Sequence, residues 1–125
     1  MTVSLNHTIV PARDHRAAAR FFADVMGLEA LPPAGRNGHF APVRVNESLT
    51  LDFMATGADV DGHHLAFDVD PGTFDGILER VRRLGVPYGS SPLEPDNGRI
   101  DHPLCPRGLF FTDDAHNLFE VMSPA

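Results

Sequence analysis

Several things are scarce in this sequence, and each scarcity narrows what the protein does. There is one cysteine in 125 residues, Cys105, so no intrachain disulfide can form and the chain suits a reducing cytosol. No apolar run approaches the roughly 18 residues of a membrane span. The stretch from Met1 to Val10 lacks the basic-then-apolar order of a secretory signal, so the expected location is cytoplasmic. Basic residues are few: 10 Lys and Arg stand against 17 Asp and Glu, a net charge of −7. A nucleic acid partner needs a basic face to neutralise phosphates, so this balance argues against one. A glycine-rich phosphate loop and a Gly-x-Ser-x-Gly elbow are also missing, which argues against nucleotide binding and serine hydrolysis.

What remains is an ordinary globular composition, 42% apolar and 22% charged. A chain of this length is near the size of one domain and buries about two thirds of its unfolded surface, enough to fold without a disulfide or structural metal. Seven histidines are more than average usage supplies. Their placement follows from an internal repeat.

The first copy reads His7-Thr-Ile-Val-Pro11, a helical stretch, then Gly27-Leu28; the second reads His64-Leu-Ala-Phe-Asp-Val69, a helical stretch, then Gly85-Val86. Asp14 and Asp70 are placed to cap the two helices, Pro71 suits a first helical position, and Gly27 and Gly85 close them. Ala18, Phe21, Phe22, Val25 and Met26 recur at helical spacing in one; Phe74, Ile77, Leu78, Val81 and Leu84 do so in the other. The copies also end alike, Asp52-Phe-Met54 against Glu120-Val-Met122. Each copy reads as strand, helix, then about three strands, with modules over about 1–56 and 61–125 of a single domain. The second carries an insertion at Pro92–Pro106. The fold class is therefore α+β, two βαβββ modules with mixed sheets.

Alternation along strands sorts the side chains by face. Leu65 and Phe67, Leu51 and Phe53, Phe119 and Val121, and Thr8 and Val10 point towards the helices. His7, Asp52, His64 and Glu120 point away from them. A sheet face carrying imidazoles and carboxylates suits one divalent ion such as Fe, Zn, Ni or Mn. His7, His64 and Glu120 form the candidate ligand set. Asp52 is open between a ligand or base and a solvated acid too short to reach. His102, in the insertion with Arg99, is open between a residue that closes over the site to contact a substrate oxygen and a solvated loop residue. His63 falls on the other phase of its strand and reads as an edge residue. Tyr88 lines a pocket or seals a strand end. Cys105 lies in a loop without a paired base, which argues against a nucleophile.

His7, His64 and Glu120 in this order, with Leu5-Asn-His-Thr-Ile-Val10, Arg20-Phe-Phe-Ala-Asp-Val-Met-Gly-Leu28 and the segment from Gly108 to Glu120, resemble the vicinal oxygen chelate superfamily. That group includes glyoxalase I, extradiol dioxygenases, fosfomycin-resistance transferases and bleomycin-binding proteins. The resemblance implies a half-open, barrel-like cleft, one metal held by His7, His64 and Glu120, a small-molecule substrate with vicinal oxygens, and a homodimer. Asp52 falls where glyoxalase I has a ligating Glu that also acts as base, and its shorter side chain departs from that pattern. The segment Thr112–His116 departs from the Asp-Pro-Asp-Gly turn usual in the group. The leading expectation is a metal-dependent enzyme of glyoxalase/lyase or dioxygenase type. The alternative is a non-catalytic drug- or metabolite-binding protein of the bleomycin-resistance kind, which the acidic charge suits.

Overall fold

Short-range signals decide most of the local structure. In the computed structural model, which describes residues 2–57 and 61–125, the elements are β1 (His7–Ala12), α1 (His15–Met26), β2 (Glu29–Ala30), β3 (Phe40–Arg44), β4 (Thr50–Ala55), β5 (His64–Asp68), α2 (Pro71–Leu84), β6 (Arg107–Thr112) and β7 (Leu118–Ser123). Two compact units divide the chain, Met1–Gly62 and His63–Ala125. The junction expected between residues 56 and 61 includes 58–60, which lie outside the described residues. Among the described residues no helix is long and apolar enough to cross a membrane.

Both helices begin and end on the residues that their chemistry selects. Asp14 Oδ1 accepts from the Ala17 amide at 3.0 Å, and Asp70 accepts from the Thr73 amide at 3.1 Å and the Thr73 hydroxyl at 2.5 Å, satisfying donors the first turn leaves unpaired. The Thr73 hydroxyl, and then its amide, hold the Asp70 carboxyl below its ordinary pKa. Gly27 and Gly85 end the helices at φ 72° and 69°, where a Cβ would be strained.

In the first unit the sheet order is β1-β4-β3-β2, with β1 parallel to β4 and the other pairs antiparallel. Helix α1 buries Ala19, Phe22, Ala23, Val25 and Met26, and Phe22 meets Phe53 of β4 at a ring separation of 5.8 Å. Val10, Val43, Leu51 and Phe53 complete this core. Burying each such side chain stabilises by about 1.5–3 kcal/mol relative to exposure. The inner stripe runs through Ala19 and Ala23 rather than the expected Ala18 and Phe21, which are half-buried. Those two flank the i, i+3, i+4, i+7 row that faces the sheet.

In the second unit the order is β5-β7-β6, with β5 parallel to β7 and β6 antiparallel to it. Phe74, Ile77, Leu78 and Val81 of α2 are buried, as are Leu109, Phe111, Phe119 and Val121 of the sheet, while Leu84 at the helix end is exposed. A third strand after α2 does not form. Its place is taken by a bridge in which the Gly89 amide donates to Phe110 O at 3.0 Å and the Phe110 amide to Gly89 O at 2.8 Å. In the first unit the Leu31 amide donates to Pro42 O in the same way at 2.9 Å. Neither sheet closes on itself.

Register confirms the repeat where it bears on function. Ile9 pairs with Asp52 and Ala66 with Glu120, so each acid lies beside the residue two after its histidine, His7 or His64. Side chains of paired residues share a face. His7 and Asp52 therefore occupy one face of the first sheet, and His64 and Glu120 the corresponding face of the second.

Candidate metal centre

One carboxylate organises the polar face of the second unit. Glu120 stands on β7 between Phe119 and Val121, whose side chains fill the opposite face, and only 7% of the residue is exposed. A buried carboxylate needs partners for both oxygens. Oε1 lies 2.8 Å from His64 Nε2 and Oε2 lies 2.5 Å from His102 Nε2.

His64 reaches this position by strand alternation alone. His102 arrives from the insertion, whose backbone is tied to β6 by the Gly108 amide donating to Ile100 O at 3.0 Å. A Cβ on Gly108 would lie 2.6 Å from His102 Cδ2 and 2.8 Å from its Cβ and Cγ. The missing side chain is the space the imidazole occupies. Phe110, two residues on and on the same face, stacks on the His102 ring at 5.2 Å and 9° and flanks His64 at 6.3 Å. These rings shield the Glu120–His102 contact from water; the His102 side chain is 1% exposed, that of His64 50%.

Hydrogen-bond partners set the His102 tautomer. The Leu104 amide donates to His102 Nδ1 at 3.0 Å, so Nδ1 carries no proton and Nε2–H donates to Glu120. His102 thus meets Glu120 as a donor through Nε2–H. His64 Nε2 and Glu120 Oε1 differ: they face each other on the accessible side. Imidazole and carboxylate are donor types that suit a divalent ion, and here they are hydrogen-bonded to each other. Among the described residues no three His, Cys, Asp or Glu side chains form a complete set that could hold a metal ion.

In the first unit His7 is exposed at the start of β1, and its Nδ1–H donates to Asn6 Oδ1 at 2.8 Å. That bond leaves the lone pair on Nε2, the tautomer a ligand needs. Asp52 is half-buried on the same face, with Pro42 and Ile9 as its register partners.

The other candidates have structural partners. Arg99 forms an ion pair with Asp101, holding that carboxyl below its ordinary pKa, chiefly through the side-chain hydrogen bond. Arg107 binds Asp75 at 2.6 Å and Ala125 O at 2.8 Å and packs over the Phe74 ring. The Tyr88 hydroxyl accepts from Arg82 Nε at 3.0 Å, and Cys105 Sγ donates to Arg107 O at 3.0 Å. In the β6–β7 turn, Asp113 Oδ1 accepts from the Ala115 and Asn117 amides, and His116 takes a left-handed φ of 65°. Asn117, fully buried, accepts the His63 amide at 2.9 Å and so anchors the entry to β5. Sequence reasoning missed Asn117 and the burial of Glu120; the Asp-x-x-x-Asn spacing of 113 and 117 was the available signal.

The sequence matches no known family model and no curated protein. Solved structures do resemble it. Oxidase ChaP-H2 is 38% identical with a TM-score of 0.88, over 98% of this chain and 94% of that one. Oxidase ChaP-H1 is 36% identical with a TM-score of 0.86, over 98% and 96%. A genomically encoded fosfomycin resistance protein, FosX, from Listeria monocytogenes shares the fold at 20% identity and a TM-score of 0.69, over 100% and 96%.

Proposed function

The chain belongs to the vicinal oxygen chelate superfamily, and from that membership we propose a divalent-metal-dependent enzyme that oxidises a small molecule bearing vicinal oxygens. The observation that carries the reading is the His64 Nε2–Glu120 Oε1 pair, 2.8 Å apart on the accessible side of a carboxylate whose other oxygen is already engaged. Oxidation is favoured over lyase chemistry because the two structures described above at 38% and 36% identity are named oxidases. His7, His64 and Glu120 are the proposed ligands. Two imidazoles and one carboxylate leave positions for substrate, and iron is the metal that best suits this set with oxygen chemistry.

A bound ion would supply Lewis acidity, stabilising negative charge on substrate oxygens. The chain's own residues do the rest. His64 Nε2 and Glu120 Oε1, 2.8 Å apart, would be the donors this unit offers to the ion. Phe110 and His102 keep water from the inner carboxylate oxygen. Asp52 is the proposed base on the His7 face, with a reach one methylene shorter than a glutamate. The proposal includes a homodimer, one domain over 1–125 and a cytoplasmic setting.

Metal analysis of protein purified without chelator tests this reading, followed by rebinding of Fe(II), Mn(II), Ni(II) and Zn(II) and oxygen uptake with catechols and hydroquinones. One equivalent of metal is expected, lost in His64→Ala and Glu120→Ala. Wild-type protein that rebinds none of the four ions refutes it. Calorimetric binding of a cationic drug, unchanged by His64→Ala, would instead favour sequestration, which the charge of −7 suits.

A further inference from the structure

We infer that His102 is a positioning residue: it ties Glu120 Oε2 through Nε2–H, so that Oε1 alone is presented beside His64 Nε2. The inference rests on the metal-binding reading above and deepens it. Three independent features build this arrangement. The Leu104 amide at 3.0 Å makes Nδ1 an acceptor, so the ring donates from Nε2. Gly108 leaves the space for the ring, since any Cβ there would overlap it. Phe110 stacks parallel to it at 5.2 Å, fixing its plane.

Each feature selects the same orientation of one carboxylate. A ligand role for His102 would require the proton to move to Nδ1, which would set two N–H groups against each other at the Leu104 contact. A pure packing role would require no donor at all, and a buried ring 2.5 Å from a carboxylate oxygen is not placed for packing alone. A glutamate without this tie can turn both oxygens towards an ion or swing away from it. Outer-sphere donors of this kind typically account for about 10–100-fold in metal affinity.

The test uses the full chain in three forms: wild type, His102→Leu, which fills the space without donating, and His102→Gln, whose amide can donate to Oε2. Mn(II) uptake is followed through the electron paramagnetic resonance of the free ion, and Zn(II) uptake by competition with a chromophoric chelator. His102→Leu is expected to weaken binding by about 10–100-fold, and His102→Gln to recover most of the loss. Nitrogen-15 correlation spectra of metal-free wild type are expected to show His102 with a bare Nδ1 and a protonated Nε2 that shifts in Glu120→Gln. Unchanged affinity in His102→Leu, equal loss in both variants, or a protonated Nδ1 would overturn the positioning role alone. Wild-type protein that takes up neither ion would overturn the metal reading and the positioning role together.

Discussion

Replacing Gly108 by alanine tests the placement of His102 through the sign of a stability change. Gly108 lies in β6 outside the left-handed region, so alanine is compatible with its backbone. At such a site Gly→Ala ordinarily stabilises by about 0.4–1 kcal/mol, because it restricts the unfolded chain. Here the new Cβ would fall 2.6–2.8 Å from three His102 atoms. Carbon contacts settle at about 3.5–4.0 Å, so the ring must retreat by roughly 1 Å. Phe110, stacked on the ring, bars an easy escape. Displacement breaks the hydrogen bond to the Glu120 carboxylate, worth about 1.5–3 kcal/mol. Offsetting the backbone gain leaves a net destabilisation of roughly 0.5–2.5 kcal/mol. Between the slopes for smaller and larger domains, that lowers Tm by roughly 2–10 °C. Urea unfolding measures it, alongside Zn(II) affinity, which is expected to fall as in His102→Leu. A more stable Gly108→Ala protein with unchanged affinity would refute the packing of His102 on β6.

Gly89→Ala is expected to be more disruptive locally, because its Cβ would lie 2.0 Å from Glu94 O and 2.7 Å from Pro95 C, both backbone atoms. Overpacking of this kind costs about 1–3 kcal/mol, and limited proteolysis should find faster cleavage within residues 91–99; unchanged cleavage and stability would count against the crossing of these segments. Asp70→Ala should destabilise the protein near neutral pH. Because the folded pKa of Asp70 is depressed, its contribution is present above the ordinary value of 3.8 and is lost as pH falls through the folded pKa. The gap between wild type and variant in urea unfolding should therefore shrink in acid, and a gap independent of pH would refute the carboxylate cap.

Much of the candidate site could be read before any coordinates. Strand alternation put His7, Asp52, His64 and Glu120 together on the face away from the helices; the register pairs Ile9–Asp52 and Ala66–Glu120 agree within each unit, on two separate sheets. The helix boundaries followed from Asp14, Asp70, Gly27 and Gly85, whose effects reach no further than one turn. A third strand in the second unit was expected and is replaced by the Gly89–Phe110 bridge, because residues 85–106 are drawn into crossing contacts. His102 read as either a lid or a solvated loop residue; its side chain is instead buried against Glu120. No local pattern announces that outcome.

The sequence alone determined the α+β class, the duplicated strand–helix–strand plan, the caps and the face each polar side chain takes. Those depend on backbone periodicity and on partners a few residues away. Only the tertiary structure decided that Glu120 is buried, that its two oxygens have different partners, and that His102 Nε2 faces Oε2. These follow from the approach of segments 18 to 56 residues apart, which depends on the volume left by Gly108 and on the amide of Leu104. A distant packing vacancy and a backbone donor leave no periodic mark in a sequence.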